Sequence, residues 1–122
     1  IKGKAVPFIN ENKKMKKALK IINDKKLGVV VVKNNKGLTT GIITDGDIRR
    51  CLAINRDINS VVLTDIMNKD PVSVPVQASL DEAMKLMEDR PSQISVLPVI
   101  DLSRNVCVGL LRLHDIYQSK LY

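Results

Sequence analysis

The sequence predicts an α+β fold built from two copies of one β-α-β-β-α unit, packed as a pseudo-twofold pair, and three observations carry the prediction. Gly41-Ile42-Ile43-Thr44-Asp45-Gly46-Asp47-Ile48 lines up with Gly109-Leu110-Leu111-Arg112-Leu113-His114-Asp115-Ile116. Both read Gly, two aliphatics, three variable positions, Asp, Ile. Upstream, Met15, Ala18, Leu19 and Ile22 match Leu80, Ala83, Met84 and Met87, each set at the i, i+3, i+4, i+7 spacing of an amphipathic helix. Between them, the aliphatic run Val29 to Val32 matches Ile94 to Leu97. The offset is 65 residues before the hairpin and 68 after it, which places three extra residues in the second hairpin. The repeats are expected at 1–64, with its connector, and 65–122.

Each element follows from local chemistry. Short extended pieces containing or flanking Pro open the repeats, Val6-Pro7-Phe8-Ile9 and Val72-Ser73-Val74. Helices are expected over about 11–26 and 79–89. Ser79-Leu80-Asp81-Glu82 is a capping-box pattern, and Asn10 is a weaker cap for the first helix. The unbroken Gly28-Val29-Val30-Val31-Val32 reads as a strand buried on both faces. Asn34-Asn35-Lys36-Gly37 tolerates positive φ and predicts a hairpin, with the returning strand over Leu38 to Thr44. A second helix starts at Asp45 or Asp47. Asn55 to Leu63 is a polar connector, and Thr64-Asp65-Ile66-Met67 reads as one helical turn stopped by Asn68-Lys69-Asp70-Pro71.

Composition narrows the function. The chain has 122 residues, 44% apolar and 27% charged, an ordinary globular mixture. No run approaches the roughly 20 apolar residues of a membrane span. Ile1-Lys2-Gly3-Lys4 has neither a signal-peptide apolar run nor an initiator Met, so the chain reads as a piece of a longer polypeptide. The formal charge of +7 raises a nucleic-acid reading, but Phe8, Tyr117 and Tyr122 are the only aromatics on which bases could stack. The excess is concentrated in Lys13, Lys14, Lys16, Lys17, Lys20, Lys25 and Lys26, either a solvated helix face or an attraction for an anionic partner. Cys51 and Cys107 lie far apart, form no CxxC pair, and read as reduced core thiols of a cytoplasmic protein.

These residues resemble a tandem pair of CBS domains, the cystathionine β-synthase type of module. The resemblance rests on Gly41 through Asp47, the Asp65-Ile66-Met67 to Asp70-Pro71-Val72 linker, Leu97-Pro98-Val99-Ile100-Asp101, and Gly109 through Asp115. Thr44-Asp45-Gly46-Asp47-Ile48-Arg49-Arg50 joined to Arg112-Leu113-His114-Asp115 is similar to the C-terminal pair of D-arabinose-5-phosphate isomerases, which make a sugar precursor of Kdo for lipopolysaccharide and some capsules. Lys2-Gly3 through Val6-Pro7 is similar to the junction after the sugar-isomerase (SIS) domain of that family. The same TDGDIRR segment also resembles pairs fused to sugar-phosphate nucleotidyltransferases. Arg112 departs from the family, which often has Ser or Thr there.

A nucleotide site needs a carboxylate for the vicinal diol, a hydroxyl or amide for ribose edges, and cations or backbone amides for phosphate. Thr44 at a strand end and Asp47 in the first helical turn can meet at one point, in front of free amides and the positive end of the helix dipole. Local sequence alone favours reading Asp45 and Asp47 as caps that charge-match the helix; the resemblance favours ligand binding. Asp115 is the counterpart of Asp47, with Arg112 and His114 beside it, and Arg is the residue suited to forked contacts with carboxylate or phosphate. Arg49 and Arg50 face either phosphate or solvent, and His114, the one His, is either structural or a ligand contact. The candidate ligand set is thus Thr44, Asp47, Arg49, Arg112, His114 and Asp115.

No Ser-His-Asp set, metal cluster or calcium loop can be assembled from the sequence. The expected role is regulatory rather than catalytic, with no required cofactor and no nucleic-acid or membrane partner. The resemblance implies a nucleotide or nucleotide-sugar effector (CMP-Kdo, AMP, ATP or CMP) in each cleft between the copies. It also implies a homodimer or higher homo-oligomer and an N-terminal SIS domain in the full chain. A structural pair with empty clefts is the competing class.

Overall fold

A computed structural model of the chain describes residues 6–54, 57, 59–88 and 96–113. Contacts divide these into two units: Pro7–Pro71, and Val72 onward together with Val6. The first unit runs β1 (Phe8–Asn10), α1 (Met15–Lys25), β2 (Val29–Lys33), β3 (Thr39–Thr44), α2 (Asp45–Ala53) and a four-residue turn of helix, α3 (Leu63–Ile66). Its sheet has the order β1-β2-β3, parallel at Phe8↔Val31 and antiparallel at Val29↔Thr44.

The aliphatic run dictates this arrangement. Val29, Val30, Val31 and Val32 are at most 1% exposed, as a central strand covered on both faces requires. Met15, Ala18 and Ile22 bury the inner stripe of α1 in the same cluster as Val30, Val32, Ile43, Ile48 and Leu63. Each fully buried large side chain here contributes about 1.5–3 kcal/mol by leaving water. The hairpin after β2 is organised by Asn34, whose Oδ1 accepts from the amides of Lys36 (2.9 Å) and Leu38 (3.0 Å).

Helix α1 starts later than the spacing predicts. Asn10 does not cap it: its Oδ1 accepts from the Asn12 amide at 2.9 Å and its carbonyl from Lys13, closing a turn that delays the helix to Met15. The N-cap is Lys14, which makes no side-chain cap bond. At the other end Lys26 adopts the left-handed conformation (φ 58°), its amide donating to the Ile22 carbonyl.

Segment 63–68 is held to β3 by a reciprocal pair: Ile42 N–H to the Asn68 carbonyl (3.0 Å), and Asn68 N–H to the Ile42 carbonyl (2.9 Å). Gly41 makes this approach possible, because a β-carbon there would stand 2.6 Å from the Asn68 carbonyl oxygen. Leu63, fully buried, anchors the same segment in the core.

The second unit comprises β4 (Val74–Pro75), α4 (Leu80–Glu88), β5 (Val96–Asp101) and β6 (Val106–Arg112), with sheet order β4-β5-β6. The Ser79 hydroxyl accepts from the Glu82 amide at 3.1 Å, as the capping pattern predicts. Ala83 and Met87, counterparts of Ala18 and Ile22, are buried with Val74, Leu97 and Leu113. Register corrects the strand alignment. Val29 pairs with Thr44 and Val96 with Arg112, so Val29–Val32 corresponds to Val96–Val99 rather than to Ile94–Leu97. Two of the three extra residues therefore precede β5 and only one lies in the hairpin. That hairpin is closed by Asp101, which accepts from Ser103 Oγ (2.7 Å) and Arg104 Nε (2.8 Å). The Arg104 guanidinium, with Ser103, holds the Asp101 carboxyl below the usual carboxylate range. Cys51 and Cys107 are buried thiols, not joined in a disulfide; Cys107 donates to the Gly109 carbonyl at 3.2 Å, and burial pushes its thiol up.

Candidate functional site

The end of β3 and the start of α2 form the most organised polar centre among the described residues. Strand pairing brings Thr44 opposite Val29, and the Asp45 amide donates to the Gly28 carbonyl at 3.1 Å. Gly28 has φ +73°, a conformation that lets β2 begin directly beneath the first turn of α2. Thr44 is the N-cap. Its Oγ1 accepts from the Asp47 amide (3.3 Å), while Asp47 Oδ2 accepts from the Thr44 amide (2.9 Å) and from Thr44 Oγ1 (3.1 Å). This is a reciprocal capping box with Asp in the third position. The T-x-x-D spacing signals this box; the cap is Thr44, not the aspartates expected from the sequence.

Asp47 consequently has two jobs. One oxygen is committed to the cap. The other, Oδ1, accepts from Arg50 Nη2 at 2.5 Å. Arg50 is 73% exposed against 14% for Asp47, so this ion pair is solvent-screened and is worth about 0–1 kcal/mol. An arriving hydroxyl pair can displace it at little cost. Both arginines reach over the first turn of α2: a β-carbon at Gly46 would lie 3.3 Å from Arg50 Nη1 and 3.9 Å from Arg49 Nη2. Two guanidinium groups thus stand by the positive end of the helix, the arrangement that attracts phosphate. Beside them a depression of about 230 Å³ is lined by Asp47, Arg50, Cys51, Ile54 and Ile66, a charged lip over apolar walls.

Thr44, Asp47 and Arg49 are therefore together at one helix terminus, joined by Arg50. Arg112 belongs to the second unit, at the end of β6, half-buried and engaged with a partner. It occupies the register position of Thr44, but a guanidinium has donors and no acceptor, so it cannot cap as Thr44 does. His114 and Asp115 lie outside the described residues. Among the described residues no group of three or more His, Cys, Asp or Glu is placed to hold a metal ion, and no helix is long and apolar enough to cross a membrane.

Residues 3–54 and 63–121 each match the sequence model of the CBS domain. The arabinose 5-phosphate isomerase KdsD of Pseudomonas aeruginosa is 32% identical over 117 residues, covering 96% of this chain and 35% of that protein. The chain spans about a third of the length of the curated relatives it matches. Among solved structures, the CBS domain pair of protein MJ0100 in complex with 5′-methylthioadenosine and S-adenosyl-L-methionine has a TM-score of 0.81 at 24% identity, over 98% of this chain and 94% of that one. CBSX2 of Arabidopsis thaliana, in complex with AMP, has a TM-score of 0.79 at 18% identity, over 98% of this chain and 90% of that one. At these identities the two structures speak to the fold.

Proposed function

The chain belongs to the CBS domain family, carrying two copies of the domain, and from that premise we propose that it is the regulatory, nucleotide-sensing part of an arabinose 5-phosphate isomerase. The observation that carries the reading is the Thr44–Asp47 box with Arg49 and Arg50 over it. Asp47 Oδ1 accepts from the neighbouring hydroxyls of a sugar once Arg50 swings off it. Arg50 and Arg49 then bind the phosphate, and Ile54 and Ile66 offer apolar contact to the remainder. The relatives support the host enzyme: KdsD proteins match this chain over nearly its whole length, at 30% and 32% identity in two of them. The MJ0100 and CBSX2 complexes support a nucleoside ligand class.

Within that class the effector that best uses all the candidate residues is a nucleotide linked to a sugar acid, such as CMP-Kdo. In the first repeat it presents a diol and phosphate to Thr44, Asp47 and the paired arginines; in the second repeat Arg112, suited to a carboxylate, and His114 and Asp115 are the proposed contacts. Regulation follows if the effector has different affinities for two states of the parent enzyme. Isothermal titration of the chain with CMP-Kdo, AMP, ATP and CMP tests the reading. Saturable binding by at least one, weakened in Asp47→Asn, is expected. Silence from all four assigns the pair a purely structural role.

A further inference from the structure

The charge of this molecule is not spread over it. Residues 13–26 hold seven lysines against one acid, Asp24, and so carry +6 of the formal +7. Five of the seven lysines gather at one depression on and just before α1, which the acid, Asp24, also lines. Lys13, Lys14, Lys16, Lys17 and Lys20 are exposed and line a surface depression of about 800 Å³, with half-buried Leu19 in its wall.

The placement works against the helix that bears it. Lys14 is the N-cap and makes no cap bond, the first turn contains no acid, and Lys16 and Lys17 stand at the positive end of the dipole. Lys16 and Lys20 are four residues apart on one face, a like-charge spacing that destabilises a helix. Helix α2, by contrast, has Asp45 and Asp47 in its first turn and a complete capping box. In α1, Asp24, four residues from Lys20, and Lys25 in the last turn offset part of this cost. The crowding of lysines at the N-terminal end of α1 is not offset by any acid in the first turn, and a broken local rule points to a role outside the fold.

We propose that the lysine face of α1 is a docking surface for an acidic protein face. Charge complementarity names the chemistry, and three features select protein among polyanions. The segment contains lysines and no arginine, so it lacks the forked donors that read phosphate oxygens. It contains no aromatic residue on which a base could stack. Its apolar stripe, Met15, Ala18 and Ile22, is buried in its own core and cannot enter a bilayer. Leu19 among the lysines supplies the apolar anchor that protein interfaces surround with a charged rim.

The test measures binding of fluorescent poly-L-glutamate to the chain by anisotropy, at low and at physiological salt. Two triple variants change net charge equally: Lys16, Lys17 and Lys20→Glu on the face, and the exposed Lys36, Lys69 and Lys85→Glu elsewhere. The face variant is expected to lose about tenfold or more in affinity and the control to stay within about twofold. The melting temperature of the face variant should be unchanged or raised, since acids now occupy the first turn of α1. If the face variant fails to fold, Lys16, Lys17 and Lys20→Gln replaces it with the same expectation. Equal losses in face and control variants, or retained binding in the face variant, overturn the proposal. So does tighter binding of a duplex oligonucleotide or of anionic phospholipid vesicles than of polyglutamate.

Discussion

Replacing Asp47 by Ala separates its two roles. In the folded chain Oδ2 accepts from the Thr44 amide at 2.9 Å and Oδ1 from Arg50. Removing the carboxylate leaves the half-buried Thr44 amide without that acceptor and takes a negative charge from the first turn of α2. Loss of a cap costs about 0.5–2 kcal/mol, the dipole term about 0.3–1, and the exposed Arg50 pair about 0–1. These overlap, and a net loss of about 1–2 kcal/mol is expected, lowering the melting temperature by roughly 4–10 °C for a domain of this size. Asp47→Asn keeps an acceptor for the Thr44 amide, so it should retain most of the stability. It loses the charge that grips a diol, and a charge-assisted bond of about 1.5–3 kcal/mol corresponds to roughly 10–150-fold in nucleotide affinity. Scanning calorimetry and isothermal titration on both variants in one buffer give the two readouts. Lower stability with unchanged affinity would show the carboxylate to be a cap alone. Unchanged stability in Asp47→Ala would refute the capping argument itself.

Gly41→Ala drives a β-carbon against the Asn68 carbonyl, and the two Ile42–Asn68 backbone bonds must part or shift; a loss of about 1–3 kcal/mol is expected by urea denaturation, and an unaltered midpoint would contradict the close approach. Lys26→Gly removes the left-handed strain at the α1 C-terminus and should stabilise the chain by up to about 1 kcal/mol, measured the same way; destabilisation would mean the Lys26 side chain contributes more than its backbone costs. Asp101 should titrate below the usual carboxylate range by carboxyl NMR, and Arg104→Ala should move it upward. Because the folded-state value is the lower one, its contribution to stability is present above the ordinary carboxylate pKa and fades as pH falls through the folded value. An identical titration in Arg104→Ala would remove the guanidinium as the cause.

Burial patterns were legible because they repeat. The stripe Met15, Ala18, Ile22 and its counterparts Ala83 and Met87, and the four valines of β2, needed only periodicity. Register was not legible in the second repeat, where Ile94 to Ile100 is apolar but for Ser95 and only pairing to β6 distinguishes one alignment from its neighbour. The start of α1 was misplaced because an Asn before a helix can cap it or close its own turn, and Asn10 does the latter. At the candidate site, Thr44 and Asp47 could be paired from spacing alone. The Arg50 ion pair and the convergence of both arginines over Gly46 depend on rotamers no motif encodes. The Gly41–Asn68 approach joins positions far apart in sequence and becomes visible only when the strand and the returning segment are both in place.

The most direct measurement is an amide NMR titration of the chain with AMP and with CMP-Kdo. The account predicts that the resonances of Thr44, Asp45, Gly46 and Asp47, with the guanidinium signals of Arg49 and Arg50, move together and saturate with at least one of the two ligands. Saturating shifts confined to other residues, or none with either ligand, would contradict it.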